Sequence, residues 1–549
     1  MSKKVIIYQV LTRLYGNRNT TRKPGGSLSD NGCGKMDYFT PTVLKHLREQ
    51  GVTHVWYTGV LRHATQTDYT AYGIPRQHPA VVKGKAGSPY AIADYYDVAP
   101  DLANNVEKRM DEFERLVRRT HRAGLKVIID FVPNHVARQY HSIAKPKGVE
   151  DLGEGDNTSH GFDPQNNFYY CPGQPFAPHL DLYQGEPLPY EEMPAKATGN
   201  DHFDNAPGMN DWYETVKLNY GVDYYAGRVG HFTPVPSTWQ KMVDILLFWA
   251  AKGIDGVRCD MAEMVPAEFW AYATARVRQQ YPDMLFIGEV YNPAEYRRYI
   301  ASGFDYLYDK VGMYDTLFAV IRHERGTGAI TSAWQATDDI AQHMLYFLEN
   351  HDELRIASDF FAGDGGKAVP ALIVSLLMQR NPFMLYAGQE YGERGMDQEG
   401  FSGLDGRTTI FDYWAIDTLC RASQGRLTDA EAKLHATYLS VLKASQEKAV
   451  ADGLTFDLTY VNSQWQRQYA FLRKAGRDTL LVVANFDDMP VDMPVTVPAH
   501  AFDHLRLKAG LREATDLLTG DTAQLDLRPD AAVELTLPAR GGVVYKFKD

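Results

Sequence analysis

The sequence predicts an α/β fold: a (β/α)8 TIM barrel with an inserted domain after strand three and a C-terminal all-β sandwich domain. Eight short apolar runs alternate with stretches of helical periodicity, and one long stretch without that periodicity interrupts them. Such alternation indicates βα units and a parallel sheet, and eight units are the number that closes a barrel. An open doubly wound sheet is the alternative, because periodicity alone does not separate the two.

The predicted strands are short runs rich in β-branched and aromatic residues. In chain order they are VIIYQV (5–10), THVWYTGV (53–60), LKVIIDFV (125–132), GIDGVRCD (253–260), MLFIGEV (284–290), GFDYLYD (303–309), MLYFLEN (344–350) and PFMLYAG (382–388). Helical patterns lie between most of them. In STWQKMVDILLFWAAK (237–252), for example, apolar residues recur at spacings of three and four, as on one face of a helix.

Two regions break the alternation and define the predicted domains. Residues 136–235 are rich in Pro, Gly, Asn, Asp and Tyr, and a gap of this length is unlike a plain loop. From about residue 450, short β runs with turn signals predict a sandwich. The predicted division is therefore barrel (1–135), inserted domain (136–235), barrel (236–445) and β-sandwich (446–549).

Composition excludes several classes of protein. The formal net charge of −12 argues against a nucleic-acid partner, and no apolar stretch approaches the ~20 residues of a membrane span. The four cysteines lie far apart without metal-ligand spacing, so we expect free thiols. The start, MSKKVIIYQV, lacks a long apolar region and a cleavage site. The chain as given is therefore expected to be cytoplasmic, or periplasmic or secreted if a signal peptide was removed.

Polar and ionisable side chains stand at the carboxyl ends of four predicted strands. In a barrel these ends converge on the face where active sites of this fold lie. One such residue alone would be interpreted as a helix cap or a satisfied loop carboxylate, but four strands with the same feature predict a shared site. The residues are Asp130, Asn134, His135, Arg258, Asp260, Glu289, Glu349, Asn350, His351 and Asp352.

Carboxylates combined with imidazole donors fit cleavage of a glycosidic bond, which needs one carboxylate as nucleophile or base and another as a protonated acid. Arg258 and Asp260 are two residues apart on one strand face, and the guanidinium is expected to lower the pKa of Asp260. The apolar run before Glu289 suits a protonated acid, and Asp352 is left to hold hydroxyls or stabilise the transition state. No cysteine cluster or HExxH motif supports zinc, so no metal ligand is assigned.

Four segments, DFVPNH, GVRCD, GEV and NHD, resemble the signature segments of the α-amylase family, glycoside hydrolase family 13. They occur in the family's order, on predicted strands three, four, five and seven. SPYAIADYYDV (88–98), VKLNYG (216–221) and YAGQEYG (386–392) resemble the loop after strand two, the fifth segment and the eighth strand. Together these segments extend the resemblance over nearly all of residues 1–445.

The resemblance implies a retaining mechanism on α-linked glucose polymers, mainly at α-1,4 bonds of starch-like glucans or malto-oligosaccharides. Asp260 would form the covalent glycosyl-enzyme, Glu289 would act as acid and then base, and Asp352 would stabilise the transition state. The resemblance also implies four residues of the substrate-binding site. Arg258 would orient Asp260, His135 and His351 would donate hydrogen bonds to sugar hydroxyls, and Tyr90 would stack on the face of the sugar.

Two departures from the family pattern accompany the resemblance. Lys217 stands where the family has a calcium-binding aspartate, and an ammonium group cannot ligate calcium but could fill its place beside Asn134. We therefore predict that the usual calcium is absent and that the protein has no cofactor, and we interpret the acidic DLGEGDN (151–157) as a surface turn more readily than as a calcium site. Glu263 and Met264 replace a Lys-His pair on the leaving-group side.

Two rival functions stay open from the sequence. A glucanotransferase on the same α-glucans would share the covalent intermediate and differ only in the acceptor. A non-catalytic barrel that binds partners is less favoured, because Asp260, Glu289 and Asp352 are all present. Chain-length preference, linkage, endo or exo attack and oligomeric state are not determined by the sequence.

Overall fold

Eight parallel strands close a barrel in the computed structural model of the chain, which describes residues 4–549. Each of the eight predicted runs overlaps one barrel strand, which confirms the barrel and excludes the open sheet. The first three residues of MSKKVIIYQV, which also begin the predicted segment 1–135, lie outside the described part.

The strands include the eight of the barrel, several two-stranded sheets and the sheets of the C-terminal region. In chain order they are β1 (Ile6–Leu11), β2 (His54–Thr58), β3 (Leu61–His63), β4 (Ile92–Val98), β5 (Lys126–Phe131), β6 (His135–Ala137), β7 (Tyr170–Cys171), β8 (Ala195–Lys196), β9 (Thr215–Lys217), β10 (Val222–Asp223), β11 (Val229–Gly230), β12 (Gly256–Cys259), β13 (Leu285–Gly288), β14 (Tyr306–Tyr308), β15 (Met344–Phe347), β16 (Phe383–Tyr386), β17 (Leu454–Asp457), β18 (Gln468–Ala475), β19 (Asp478–Asn485), β20 (Val491–Val497), β21 (Gly510–Asp516), β22 (Thr522–Leu527), β23 (Ala531–Leu537) and β24 (Gly541–Lys548).

The α-helices pack mainly around the barrel. They are α1 (Leu28–Asn31), α2 (Pro41–Glu49), α3 (Arg109–Arg122), α4 (Ser237–Ala251), α5 (Ala267–Gln280), α6 (Tyr296–Ala301), α7 (Asp315–Ile321), α8 (Gly328–Gln335), α9 (Val369–Leu377), α10 (Asp417–Ser423), α11 (Asp429–Ala444), α12 (Lys448–Asp452) and α13 (Ala499–Leu505). Local sequence fixes some boundaries: the Thr428 side chain accepts from the Glu431 amide and Glu431 reaches back, a capping box that starts α11. None of the helices within residues 4–549 is long and apolar enough to cross a bilayer.

The barrel interior is filled by side chains at alternate positions along the strands, which point inward. A buried cluster inside the barrel includes Ile7, Ile128, Ile287, Leu345 and Met384, while neighbouring residues such as Val257 and Phe286 join the core under the helices. This alternation follows from the period of two along a strand. The packed interior forms the floor on which the polar residues of the next layer stand.

The two regions that broke the βα rhythm form other kinds of structure. Within 136–235 the chain makes short two-stranded sheets, and β6 pairs with β9 so that His135 is opposite Lys217. From β17 onward, a six-stranded antiparallel sheet and the β20–β23 pair enclose a separate apolar cluster, as predicted for a sandwich. The predicted boundaries at 135/136, 235/236 and 445/446 stay predictions. All four cysteines are free, as expected.

Candidate active site

Arg258 is fully buried at the end of β12 and contacts both carboxylates predicted to do the chemistry. Its Nη1 donates to Asp260 Oδ1 over 2.5 Å, and its Nη2 lies 2.9 Å from Glu289 Oε2. Its Nε donates to the Tyr308 hydroxyl over 3.1 Å. Because parallel register aligns β12 with β13, residues at the ends of these strands meet around one guanidinium.

Glu289 follows β13, and polar groups surround its carboxylate. Met261 N–H donates to Oε2 over 2.7 Å, and the Tyr291 hydroxyl donates to Oε1 over 2.7 Å. The apolar setting expected for Glu289 from its sequence neighbours is therefore wrong. The apolar side chain of Phe286 points into the core outside the barrel, whereas the carboxylate meets donors from the loops after β12 and β13.

Asp352 is the most open of the three carboxylates, with a side chain 42% exposed. His351 Nε2 lies 3.0 Å from its Oδ2 and 2.7 Å from the Tyr90 hydroxyl. The rings of Tyr90 and His351 stack with centroids 5.1 Å apart, so the two side chains form one wall of the site. The Gln9 amide nitrogen lies 2.8 Å from His351 Nδ1 and holds the ring from beneath.

His135 faces the same centre from the start of β6. Its Nε2 lies 4.0 Å from Asp260 Oδ2, the carboxylate oxygen that Arg258 does not bind. Asp130, on the adjoining strand, accepts from Trp56 Nε1 over 3.1 Å and from Gly59 N–H over 2.9 Å. The aspartate is thus satisfied by structural donors and supports the floor of the site.

Burial affects the pKa values of several ionisable groups of the site. Loss of hydration raises the pKa of Asp260 to about 7; Arg258 opposes this shift and the negative charge of Glu289 adds to it. The low pKa expected for Asp260 is therefore wrong, because burial outweighs the ion pair. Burial also opposes ionisation of Asp352, but His351 and Arg258 prevail and lower its pKa to about 2. Burial, with help from the positive charge of Lys217, lowers the pKa of His135 to about 3, so its imidazole is neutral at pH 7.

Lys217 lies in the position where the resemblance placed a calcium ligand. Its ammonium donates to Asn134 Oδ1 over 2.5 Å and lies 2.7 Å from Asp201 Oδ1. The Lys217 side chain is 2% exposed and occupies the space between these two oxygens. These oxygens already bind a cation, so they do not fit a metal ion while Lys217 is present.

Aspartates of the acidic DLGEGDN segment accept hydrogen bonds from backbone N–H groups of the surrounding inserted region. Asp151 Oδ2 accepts from Ser142 N–H, and Asp156 accepts from the N–H groups of Asn167 and Phe168. Within residues 4–549 no group of three or more His, Cys, Asp or Glu side chains is arranged to hold a metal ion.

The structure brings all seven predicted site residues to the carboxyl end of the barrel. Sequence reasoning missed Tyr291 and Tyr308, whose hydroxyls contact Glu289 and Arg258. Tyr291 stands two residues after Glu289, a spacing that could have suggested a shared face. Tyr308 ends β14, so the rule that polar strand ends gather in a barrel could have found it as well.

A closed parallel barrel whose upper face gathers buried carboxylates around an arginine is typical of barrel enzymes that act on glycosidic bonds through paired carboxylates. The family described as Alpha amylase, catalytic domain, matches residues 29–520 of this chain. The chain therefore belongs to the α-amylase family and is an enzyme of the glycoside hydrolase type.

Individual relatives are distant. Alpha-amylase 3 of Dictyoglomus thermophilum is 23% identical over 455 residues, which cover 78% of this chain and 74% of that protein. Alpha-amylase MalA of Haloarcula japonica is 26% identical over 529 residues, covering 94% of this chain and 58% of that protein.

Solved structures share the fold at low identity. CldA, described as a cyclomaltodextrin glucanotransferase with a three-domain ABC distribution, superposes with a TM-score of 0.67 at 18% identity, with 99% of each chain covered. An alpha-amylase from Geobacillus thermoleovorans, complexed with acarbose, gives 0.65 at 18% identity and covers 100% of this chain and 98% of its own.

Proposed function

We propose that the protein is a retaining hydrolase of α-glucosidic bonds, mainly α-1,4, in starch-like glucans or malto-oligosaccharides. The observation that carries the proposal is the single buried guanidinium of Arg258, which contacts both Asp260 and Glu289 beside the partly open Asp352. Retaining cleavage needs a nucleophilic carboxylate and an acidic one close together, and a shared cation places them so.

In the proposed first step, Asp260 Oδ2 attacks the anomeric carbon while Arg258 holds Oδ1. Glu289 gives its proton to the glycosidic oxygen, which leaves with the electron pair of the broken bond. In the second step Glu289 takes a proton from water, whose oxygen displaces Asp260 from the anomeric carbon. Asp352 stabilises the positive charge that the sugar ring develops in both steps, because its low pKa keeps it ionised.

Two relatives support the choice of substrate. Besides the α-amylases, a cyclomaltodextrinase from Bacillus sp. is 23% identical over 505 residues, which cover 88% of this chain and 73% of that protein. The cyclomaltodextrin glucanotransferase of Bacillus sp. strain 1-1 is 23% identical over 424 residues, which favours glucanotransfer as the second candidate function.

The test is a time course on maltoheptaose in which reducing ends and product lengths are measured in the same samples. Hydrolysis raises the reducing ends and gives only shorter chains, and the length pattern reports internal or terminal attack. If reducing ends stay flat while longer and shorter chains both accumulate, the protein is a glucanotransferase. If neither quantity changes while the glucan still binds, the barrel is non-catalytic and both proposals fail.

The same proposal includes a site that works without the family's usual calcium. Lys217 supplies a fixed positive charge between Asn134 and Asp201, and β6–β9 pairing links that charge to the strand that carries His135. The ammonium therefore takes over the task of tying the inserted region to the barrel.

A further inference from the structure

The two oxygens of Glu289 have different surroundings. Oε2 accepts from Met261 N–H over 2.7 Å and lies 2.9 Å from the positive charge at Arg258 Nη2, so a donor and a cation already face it. A proton on Oε2 would point at a cation or at another donor, which is unfavourable. Oε1 faces the Tyr291 hydroxyl at 2.7 Å, and a hydroxyl can both donate and accept. The transferable proton of the acid therefore belongs on Oε1.

We propose that Tyr291 is a positioning residue that orients Glu289 and stabilises its carboxylate at the moment the proton leaves. The inference rests on the proposed function. As the glycosidic bond breaks, the proton passes from Oε1 to the glycosidic oxygen, which keeps the electron pair, and negative charge appears on Glu289. A Tyr291 O–H donated to that charge is stronger in the transition state than in the ground state, so it lowers the barrier to proton donation.

The backbone of Tyr291 is fixed by a third residue, Glu263. The Glu263 carboxylate accepts from the N–H groups of Tyr291 over 2.7 Å and Asn292 over 3.0 Å. Glu263 lies in the short 3₁₀ turn Ala262–Met264 directly after the nucleophile, and its own N–H donates to the Glu289 carbonyl over 3.3 Å. The turn after Asp260 and the loop after Glu289 are thereby joined, and the Tyr291 hydroxyl is held against Oε1.

Tyr291 is half-buried beside Glu289, with its hydroxyl 2.7 Å from Oε1. Burial, and the negative charges of Glu289 and Asp352, raise the pKa of its hydroxyl, so it remains a donor across the working pH range. The residue sits beside the acid on the leaving-group side, where Glu263 and Met264 replace the Lys-His pair. Through its contact with Tyr291, Glu263, one of the two residues that depart from the family pattern, therefore helps to position the acid.

The experiment compares substrates whose leaving groups do and do not need a proton. In Tyr291→Phe, kcat/KM on maltoheptaose should fall about 100-fold, the lower end of the effect of losing one donor to a developing charge. With α-maltotriosyl fluoride, whose fluoride leaves with little acid help, the fall should stay below about threefold. The alkaline limb of the maltoheptaose pH profile should move to higher pH, because the ionised acid has lost a stabilising donor.

Three further variants complete the design. Tyr272→Phe removes an exposed hydroxyl that is hydrogen-bonded to Gln240, and it should leave kcat/KM unchanged for both substrates. Glu263→Gln should show the same dependence on the leaving group, with a smaller loss, and it decides the matter if Tyr291→Phe does not fold. Equal losses on both substrates, or no loss on either, would overturn the inference. If Glu289→Gln keeps its activity on maltoheptaose, the proposed function itself is wrong.

Discussion

The side chains of Arg258, on β12, and Asp260, directly after it, project from the same face, and Arg258 Nη1 donates to Asp260 Oδ1 over 2.5 Å. The same guanidinium lies 2.9 Å from Glu289 Oε2, so one buried cation serves two buried carboxylates. The ionisation of each carboxylate then depends on the other and on the arginine. Activity, stability and their pH dependence are therefore linked through the Arg258 guanidinium.

Asp260→Asn should abolish the reaction without harming the fold. An amide cannot form the glycosyl-enzyme, so kcat/KM on maltoheptaose should fall at least about 10³-fold. Asparagine has nearly the same shape and removes a buried charge, so the melting temperature should change by less than about 3 °C. Asp338→Asn on the exposed turn before β15 is the control and should keep full activity. Activity above about one tenth of wild type in the Asp260 variant would contradict the assignment.

Arg258→Met should destabilise the protein in a pH-dependent way. Breaking a buried ion pair from one side costs about 3–5 kcal/mol, because the carboxylates lose their counter-charge. In the wild type, the cost of ionising buried Asp260 grows from its unfolded-state pKa up to about pH 7 and then stops. Without Arg258 the folded-state pKa is higher, so this cost continues to grow above pH 7.

Urea unfolding of wild type and Arg258→Met at pH 6 and pH 9 measures this effect. The deficit in the free energy of unfolding should be larger at pH 9 than at pH 6. Arg394→Met, which removes an exposed partner of Asp359, is the control and should change stability by less than about 1 kcal/mol at both pH values. A deficit that is the same at both pH values would show that Asp260 does not titrate in this range.

The sequence predicted the barrel well because the signals are local. Apolar strands of three to six residues and amphipathic helices are visible in a short window, and period two places Arg258 and Asp260 together. The surroundings of Glu289 were only partly predictable in this way: Tyr291 is a near neighbour in the chain, but Met261 and Arg258 reach the carboxylate from the end of the adjacent strand β12. The residues before Glu289 in the chain show that its strand is apolar. Its carboxylate also faces groups that come near only when the barrel closes.

The pKa of Asp260 shows the same limit in energetic form. Its nearest charge along the chain is Arg258, which by itself predicts a lowered pKa. Burial and Glu289 act in the opposite direction, and both depend on the three-dimensional packing of the site. The sequence reveals the ion pair but not the amount of water that the fold removes from it.

The acidic limb of the pH profile should report Asp260. The nucleophile must be ionised, and its pKa is about 7, so kcat/KM should fall about tenfold for each pH unit below 7. Asp352 has a pKa of about 2 and stays ionised, so it adds no second limb between pH 3 and pH 7. Initial rates on maltoheptaose from pH 4 to pH 9, with stability checked at each pH, measure the limb. A profile that stays flat down to pH 5 would contradict the raised pKa.

Chelation of calcium should not affect the wild-type protein, because Lys217 occupies the space at the β6–β9 contact where the family's calcium is expected. Lys217 already donates to Asn134 Oδ1 and forms an ion pair with Asp201 Oδ1, so EDTA should change neither the melting temperature nor kcat/KM. Lys217→Asp places a carboxylate beside Asp201 and removes the cation that both need, which should cost about 3–5 kcal/mol in the absence of metal. Three oxygens then converge from Asn134, Asp201 and the new side chain, a donor set that suits calcium.

Melting curves of Lys217→Asp with and without calcium chloride complete this test. Calcium that binds only the folded variant should raise its melting temperature with ion concentration, as mass action requires, and leave the wild type unchanged. Lys433→Asp, an exposed lysine on α11, is the control and should not respond to the metal. If EDTA inactivates the wild type and calcium but not magnesium restores it, Lys217 does not replace the ion, and the calcium site lies elsewhere in the protein.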